Sequence, residues 1–149
     1  MHPNMKNFYD LLDIKKPIGI NLKVIPIIDV QAPRIKIQIN ESVLYEDELK
    51  QKISLEHKIK ILETLDIKIE LFDKNYGISK DTGIIIESLK INFFEVVPKF
   101  INLATYKNNH DIFQATKHLE FNGTWNLQIN EPFYRWKHRI TGQGWLLKP

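Results

Sequence analysis

Residues 18–24 read Ile18-Gly19-Ile20-Asn21-Leu22-Lys23-Val24, which puts four apolar side chains on one face of a strand and Gly, Asn and Lys on the other. The same period of two returns at Ile35, Ile37 and Ile39, alternating with Lys36 and Gln38, and at Ile67, Ile69 and Leu71, alternating with Lys68 and Glu70. A helix, with its period of 3.6, does not keep such a set on one side, so these segments read as strands. Isoleucine is the commonest apolar residue, 23 of 149, and its branched Cβ suits a pleated surface better than a helix.

Working outward, Pro26 and Pro33 bracket a stretch that reads as an edge or corner, because proline donates no ladder hydrogen bond. Asn40-Glu41 offers a turn into a strand at 43–45. Residues 46–65 mix both periods, and two short strands with a turn at Glu56-His57 are expected there. Asp73 to Gly77 is rich in turn formers. In 84–92 the face Ile85, Glu87, Leu89 and Ile91 is expected inward, with 94–97 following until Pro98 and a polar connection at 102–111. Strands at 119–121 and 124–129 are separated by Asn122-Gly123, a hairpin signal. At the ends, Phe8, Leu11 and Leu12 suit a short helix within 1–17. Phe133, Trp136 and Ile140 suit another, opened by Pro132 and stopped by Gly142. The whole predicts a single all-β domain over 1–149: an antiparallel β-sandwich or jelly roll with short terminal helices, the second in an aromatic-rich tail at 131–149.

Composition narrows the chemistry. There is no cysteine, which removes disulfides, thiolate metal sites and cysteine nucleophiles. No apolar run approaches the ~18 residues that span a bilayer, so no membrane partner is expected. The N-terminus carries no apolar signal core, so synthesis in the cytosol without export is the expectation. A formal charge of +3, with 18 Lys against 3 Arg, reads as genome bias rather than a demand for nucleic acid.

Several constellations invite a function. Asp73, Asn75, Gly77, Ser79 and Asp81 alternate oxygen-bearing groups, but an EF-hand loop needs glycine sixth and glutamate twelfth, where this chain has Gly77 fifth and Ile84 twelfth. Asp73 and Asp81 stay as candidate ligands for a hard cation such as Ca2+, against a plain solvated turn. Trp125, Trp136 and Trp145 crowd the end with Phe133 and Tyr134. Aromatic faces stack on sugars or bases, or fill a core. Trp125 alternates with Leu127 and Ile129 and reads as core. Trp136 shares a helical face with Phe133 and Ile140, while Tyr134 reads as exposed. Arg135, Lys137, His138, Arg139 and Lys148 make the tail basic. Arg135 and Arg139 share a face, but Lys137 lies ~200° from Arg135. The cations do not converge. No specific nucleic-acid binding is predicted, and Arg135 and Arg139 are expected to pair with carboxylates or carbonyls.

No histidine pattern suits a metal, and GxSxG, GxxxxGK and GxGxxG are absent. Glu70, Asp81 and Glu87, if brought together across neighbouring strands, would meet the minimum for a two-carboxylate glycosidase. That alone makes a weak enzyme, and catalysis is the less favoured expectation.

The run 81–92, Asp81-Thr82-Gly83-Ile84-Ile85-Ile86-Glu87-Ser88-Leu89-Lys90-Ile91-Asn92, preceded by the strand 67–72, resembles calcium-dependent carbohydrate-binding modules of the xylan-binding type. The resemblance implies a β-sandwich with a calcium-ligating Asp at the sugar site, and Asp81 is the residue that maps onto that pattern. The closing stretch, 121–127 through Pro132-Phe133-Tyr134-Arg135-Trp136 to Gly142-Gln143-Gly144-Trp145, is similar to the ends of short tailed-bacteriophage proteins. It implies a phage origin and a place in the virion or the host cytoplasm. Together these give the leading expectation of a non-catalytic phage accessory protein that binds a glycan through Tyr134, Trp136 and Arg135, with Ca2+ at Asp73 and Asp81. The alternative is a virion structural or assembly protein, of capsid or tail, that packs on itself as a homo-oligomer or on other phage or host proteins.

Overall fold

A computed structural model describes residues 17–59 and 64–142. The predicted N-terminal helix, together with Trp145 and Lys148, lies outside the described residues. In chain order the strands are β1 (Ile18–Ile27), β2 (Arg34–Ile39), β3 (Ser42–Glu48), β4 (Ile53–Ile59), β5 (Leu65–Phe72), β6 (Gly83–Ile91), β7 (Phe94–Val97), β8 (Thr105–Lys107), β9 (Ile112–Gln114), β10 (His118–Leu119) and β11 (Gly123–Ile129). A 3-10 turn spans Ile101–Leu103 and one helix, α1, spans Phe133–Thr141.

All pairings are antiparallel, and the strands form two sheets. One has the order β10-β6-β1-β4, with β7 also on β6; the other has the order β3-β2-β5-β11-β8-β9. The inward faces close one core of a β-sandwich. Ile20, Leu22 and Val24 of β1 and Ile84, Ile86, Leu89 and Ile91 of β6 line it from the first sheet. Ile35, Ile37 and Ile39 of β2, Ile67, Ile69 and Leu71 of β5 and Trp125 and Leu127 of β11 line it from the second. Each buried Ile or Leu contributes about 1.5–3 kcal/mol relative to exposure, so these alternating sets determine the layering.

Pro26 fits because β4 follows β1 only as far as Val24, opposite Ile53. Beyond that point one side of β1 is open, and a residue without N–H loses no ladder bond there. Helix α1 matches its expected limits. Pro132 precedes it, Phe133 and Trp136 are buried, and Gly142 ends it at φ 70.

Four expectations need correction. The segment Ile53–Ile59 is one strand that runs straight through Glu56-His57, because β1 pairs with it continuously from Val24 to Ile18. The inward face of 84–92 changes parity. Ile84 and Ile86 are buried, a bulge opposite Lys23 and Val24 intervenes, and Leu89 and Ile91 are buried after it. The polar connection 102–111 contains β8, whose Tyr106 is buried, stacks on Phe121 at 4.4 Å and donates its hydroxyl hydrogen to the Phe121 carbonyl. Asn122-Gly123 is not a hairpin turn. β10 pairs with β6 whereas β11 pairs with β5 and β8, so the chain crosses there from one sheet to the other. Gly123 is needed for approach, since a Cβ on it would lie 2.7 Å from the Lys107 carbonyl oxygen.

Gly83 marks the tightest contact, a Cβ there falling 2.4 Å from the Leu119 carbonyl oxygen in β10. Gly83→Ala is expected to lower stability by about 1–3 kcal/mol in urea unfolding followed by circular dichroism. Gly19→Ala, whose Cβ would meet only Asn92 Oδ1 at an ordinary 3.7 Å, serves as the control and changes stability by less.

Candidate functional site

The loop after β5 is built around a lysine. Asp73 leaves the strand at φ 56, and the chain to Thr82 is stitched to the loop before β2. Gln31 Nε2 donates to the Asp73 carbonyl (3.1 Å), Asn75 N–H donates to Gln31 Oε1 (3.0 Å), Asp81 N–H donates to Asp29 Oδ2 (3.3 Å), and the Thr82 hydroxyl donates to the Gln31 carbonyl (2.6 Å). Inside this frame Lys74 is only 7% exposed. Its Nζ donates to the Lys80 carbonyl at 2.8 Å and to the Glu120 carbonyl, and it lies 5.2 Å from the Tyr76 ring centre. Burial pulls the Lys74 pKa below its ordinary value, opposed by the charges of Glu120, Asp81 and Asp29.

This arrangement tests the expected calcium ligands. Asp73 turns its carboxylate toward Arg34 (3.8 Å), and Asp81 belongs to the acidic surroundings of Lys74. Among the described residues no three His, Cys, Asp or Glu side chains gather as a metal would require. The positive charge in the loop is already an ammonium held by two backbone carbonyls.

The helix residues separate. Trp136 is 3% exposed, edge-on to Phe94 at 6.4 Å and beside Phe133 at 6.0 Å, so its ring is core and offers no platform. β7 brings Phe94 under the helix, a contact invisible in the 3.6 periodicity alone. Tyr134 is half-buried, and its hydroxyl accepts from Asn92 Nδ2 at 3.2 Å. Arg135 is half-buried and engaged in contacts of its own. Arg139 pairs with Glu131 at 2.6 Å, as expected of a tail arginine. The presumed carboxylate set does not assemble either: Glu70 lies in one sheet, Glu87 lies in the other, and Glu87 is paired with Lys52 at 2.7 Å.

What the sequence reading missed lies on the outer face of the six-stranded sheet. Antiparallel register aligns Lys36, Glu70, Thr124 and Lys107 in one row across β2, β5, β11 and β8. Gln38, Lys68, Asn126 and Thr105 form the next row, about 6.6 Å along. The short Thr124 and Asn126 sit on β11 between longer side chains, and the face sinks into a trough. Its volume is about 380 Å³, and through Glu70, Thr124 and Lys107 it opens into a second hollow of about 300 Å³ bordered by Asp73, Asn108 and Asn122. Asn126 is fixed by bonds from its Nδ2 to Asp66 Oδ1 (2.5 Å) and the Ile67 carbonyl (3.0 Å). The signal available in the sequence was the outward parity of strands whose inward parity had already been read.

No protein-family model and no curated protein matches the chain. Among solved structures, it is similar to vCBM60, described in connection with two families of calcium-dependent carbohydrate-binding modules: 11% identity, 76% of this chain and 91% of that one, TM-score 0.49. A structure of vCBM60 in complex with galactobiose is similar at 10% identity over 75% of this chain and 97% of that one, TM-score 0.46.

The lysine-centred loop has a direct consequence. The midpoint of thermal unfolding is expected to be the same in EDTA and in millimolar calcium. Lys74→Met, which leaves two carbonyls without their donor, should cost about 1–3 kcal/mol. A calcium-dependent rise in the wild-type midpoint would refute this account of the loop.

Proposed function

We propose that the chain is a non-catalytic glycan-binding β-sandwich that holds an oligosaccharide along the trough of the six-stranded sheet. The observation that carries this reading is the cross-strand row structure. A sugar presents hydroxyls that both donate and accept, and the two rows together offer donors (Lys36, Lys68, Lys107), acceptors (Glu70 and the Asn126 Oδ1) and groups of both kinds (Gln38, Thr124) on a stiff sheet. Glu70 is the single carboxylate among the residues lining the 380 Å³ trough, where hydrolysis of a glycosidic bond uses two. Binding without turnover is the reading that this favours. The further reading as an accessory protein of a tailed bacteriophage, in the virion or the host cytoplasm, rests on the resemblance of the closing stretch of sequence.

A second reading is favoured by a different observation. Ile28, Val30, Tyr76 and Ile78 are all more than half exposed, and they sit on the two loops stitched together around Lys74. Apolar side chains on a cross-linked surface suit a protein interface, as an assembly component of a virion would need.

A glycan array, run with calcium and with EDTA, tests the first reading. Binding to at least one polysaccharide is expected in both buffers. Thr124→Lys, which fills the trough floor, should weaken it by about tenfold or more, equivalent to ~1.4 kcal/mol. Absence of binding to any polysaccharide, together with concentration-dependent self-association that Val30→Asp and Ile78→Asp abolish, would favour the assembly reading instead.

A further inference from the structure

The turn between β6 and β7 consists of two residues, Asn92 and Phe93, closed by the pair Ile91 and Phe94. Both have positive φ, 48° and 67°. Such a turn favours Asn followed by Gly, because a side chain at the second position is crowded in the left-handed region. Asn92 fits this role. Its Oδ1 accepts from Gly19 N–H at 2.7 Å, and its Nδ2 donates to the Tyr134 hydroxyl, which ties the turn to β1 and to α1. Phe93 does not fit it. The ring stands where glycine would be easiest and is 88% exposed, the most exposed large apolar side chain among the described residues. Neither backbone preference nor burial accounts for a phenyl group there.

The same ring borders a hollow of about 710 Å³ on the outer side of the five-stranded sheet. Gly19 leaves space in its lining, and Asn21, Glu56 and Lys58 contribute an amide, a carboxylate and an ammonium from the outward parity of β1 and β4. A protein partner would match a contiguous run of exposed apolar side chains, whereas Phe93 is the one exposed large apolar side chain among the residues lining this hollow, with Asn21, Glu56 and Lys58 beside it. That combination suits a pyranose, which has an apolar face of C–H groups and an edge of hydroxyls.

We propose that Phe93 is the stacking platform of a second carbohydrate site, with Asn21, Glu56 and Lys58 meeting the sugar's hydroxyls. It lies on the sheet opposite the trough and does not depend on it. Two sites on opposite outer faces would engage separate segments of a polysaccharide, so affinity for long chains would exceed that for short ones.

The test uses the full 15N-labelled chain titrated with xylohexaose, cellohexaose and galactobiose at millimolar concentration. At least one sugar is expected to shift the amide signals of Gly19, Asn21, His57 and Phe93. Phe93→Gly and Phe93→Ala should each weaken that binding by about tenfold or more. Thr124→Lys should leave it unchanged, which separates this site from the trough. Phe93→Gly should keep or raise the thermal midpoint, because glycine relaxes the turn. The proposal fails if none of the three sugars moves these signals, or if Phe93→Gly binds as the wild type does. It also fails if Phe93→Gly lowers the midpoint by several degrees, which would make the ring structural, or if the variant turns a self-associating chain into a monomer, which would make the ring a protein contact.

Discussion

Burial of one parity of β1, β2, β5 and β11 is the constraint from which the rest follows. In a sandwich each strand faces the core with alternate residues, and a slip of one position would carry the whole apolar set to solvent. Ile35, Ile37 and Ile39 oppose Leu71, Ile69 and Ile67 residue by residue, and Trp125 and Leu127 continue the same layer on β11. Once that register is fixed, the opposite parity has no freedom. Lys36 must stand beside Glu70, and Thr124 must lie between Glu70 and Lys107. The trough is thus a consequence of core packing, expressed in whichever residues occupy the outward positions.

The strand pattern was legible because isoleucine and lysine alternate so regularly. Ile18 to Val24, Arg34 to Ile39 and Leu65 to Phe72 could be placed from periodicity, and the helix from Phe133, Trp136 and Gly142. The failures share a cause, which is partner-dependent structure. The bulge in β6 cannot be read from residues 84–92, because it is defined by the change in register against Lys23 and Val24. The strand status of β8 rests on one buried residue, Tyr106, far too short a run to show a period. Asn122-Gly123 carries the local signature of a hairpin, yet Gly123 is required for close approach to Lys107, and its neighbours belong to different sheets.

The candidate sites were legible only in part, for the same reason. Tyr134 and Asp73 do lie beside features of interest, one holding Asn92 and the other at the end of the trough, but neither is the centre of its site. Trp136 was lost to the core because Phe94, more than forty residues earlier in sequence, comes to lie against it. Lys74 went unnoticed because lysine is abundant in this chain and most of the lysines among the described residues are solvated. What distinguishes it is the convergence of the Lys80 and Glu120 carbonyls, which exists only after folding.

Folded chains tend to be consistent across levels, local preference agreeing with global structure, so the exceptions carry information. Two stand out among the described residues. A buried ammonium is ordinarily avoided, and around Lys74 it is tolerated because carbonyls and three nearby carboxylates replace water. A bulky residue in the left-handed region is also avoided, and at Phe93 nothing comparable compensates: the ring is open to solvent and the turn would close more easily without it. The contrast with the other two-residue connection is instructive. At Asn40-Glu41 only Asn40 has positive φ, and it is held by exchange of hydrogen bonds with Asp66, through Asn40 N–H to the Asp66 carbonyl and Asp66 N–H to Asn40 Oδ1. Both connections begin with an asparagine whose side-chain oxygen accepts from the backbone of a separate segment, Gly19 in one case and Asp66 in the other. They part at the second residue, where one chain position obeys the steric preference and the other sets an aromatic ring against it. The first exception is resolved inside the fold. The second has no resolution within the described residues, and so directs attention to what lies outside the molecule.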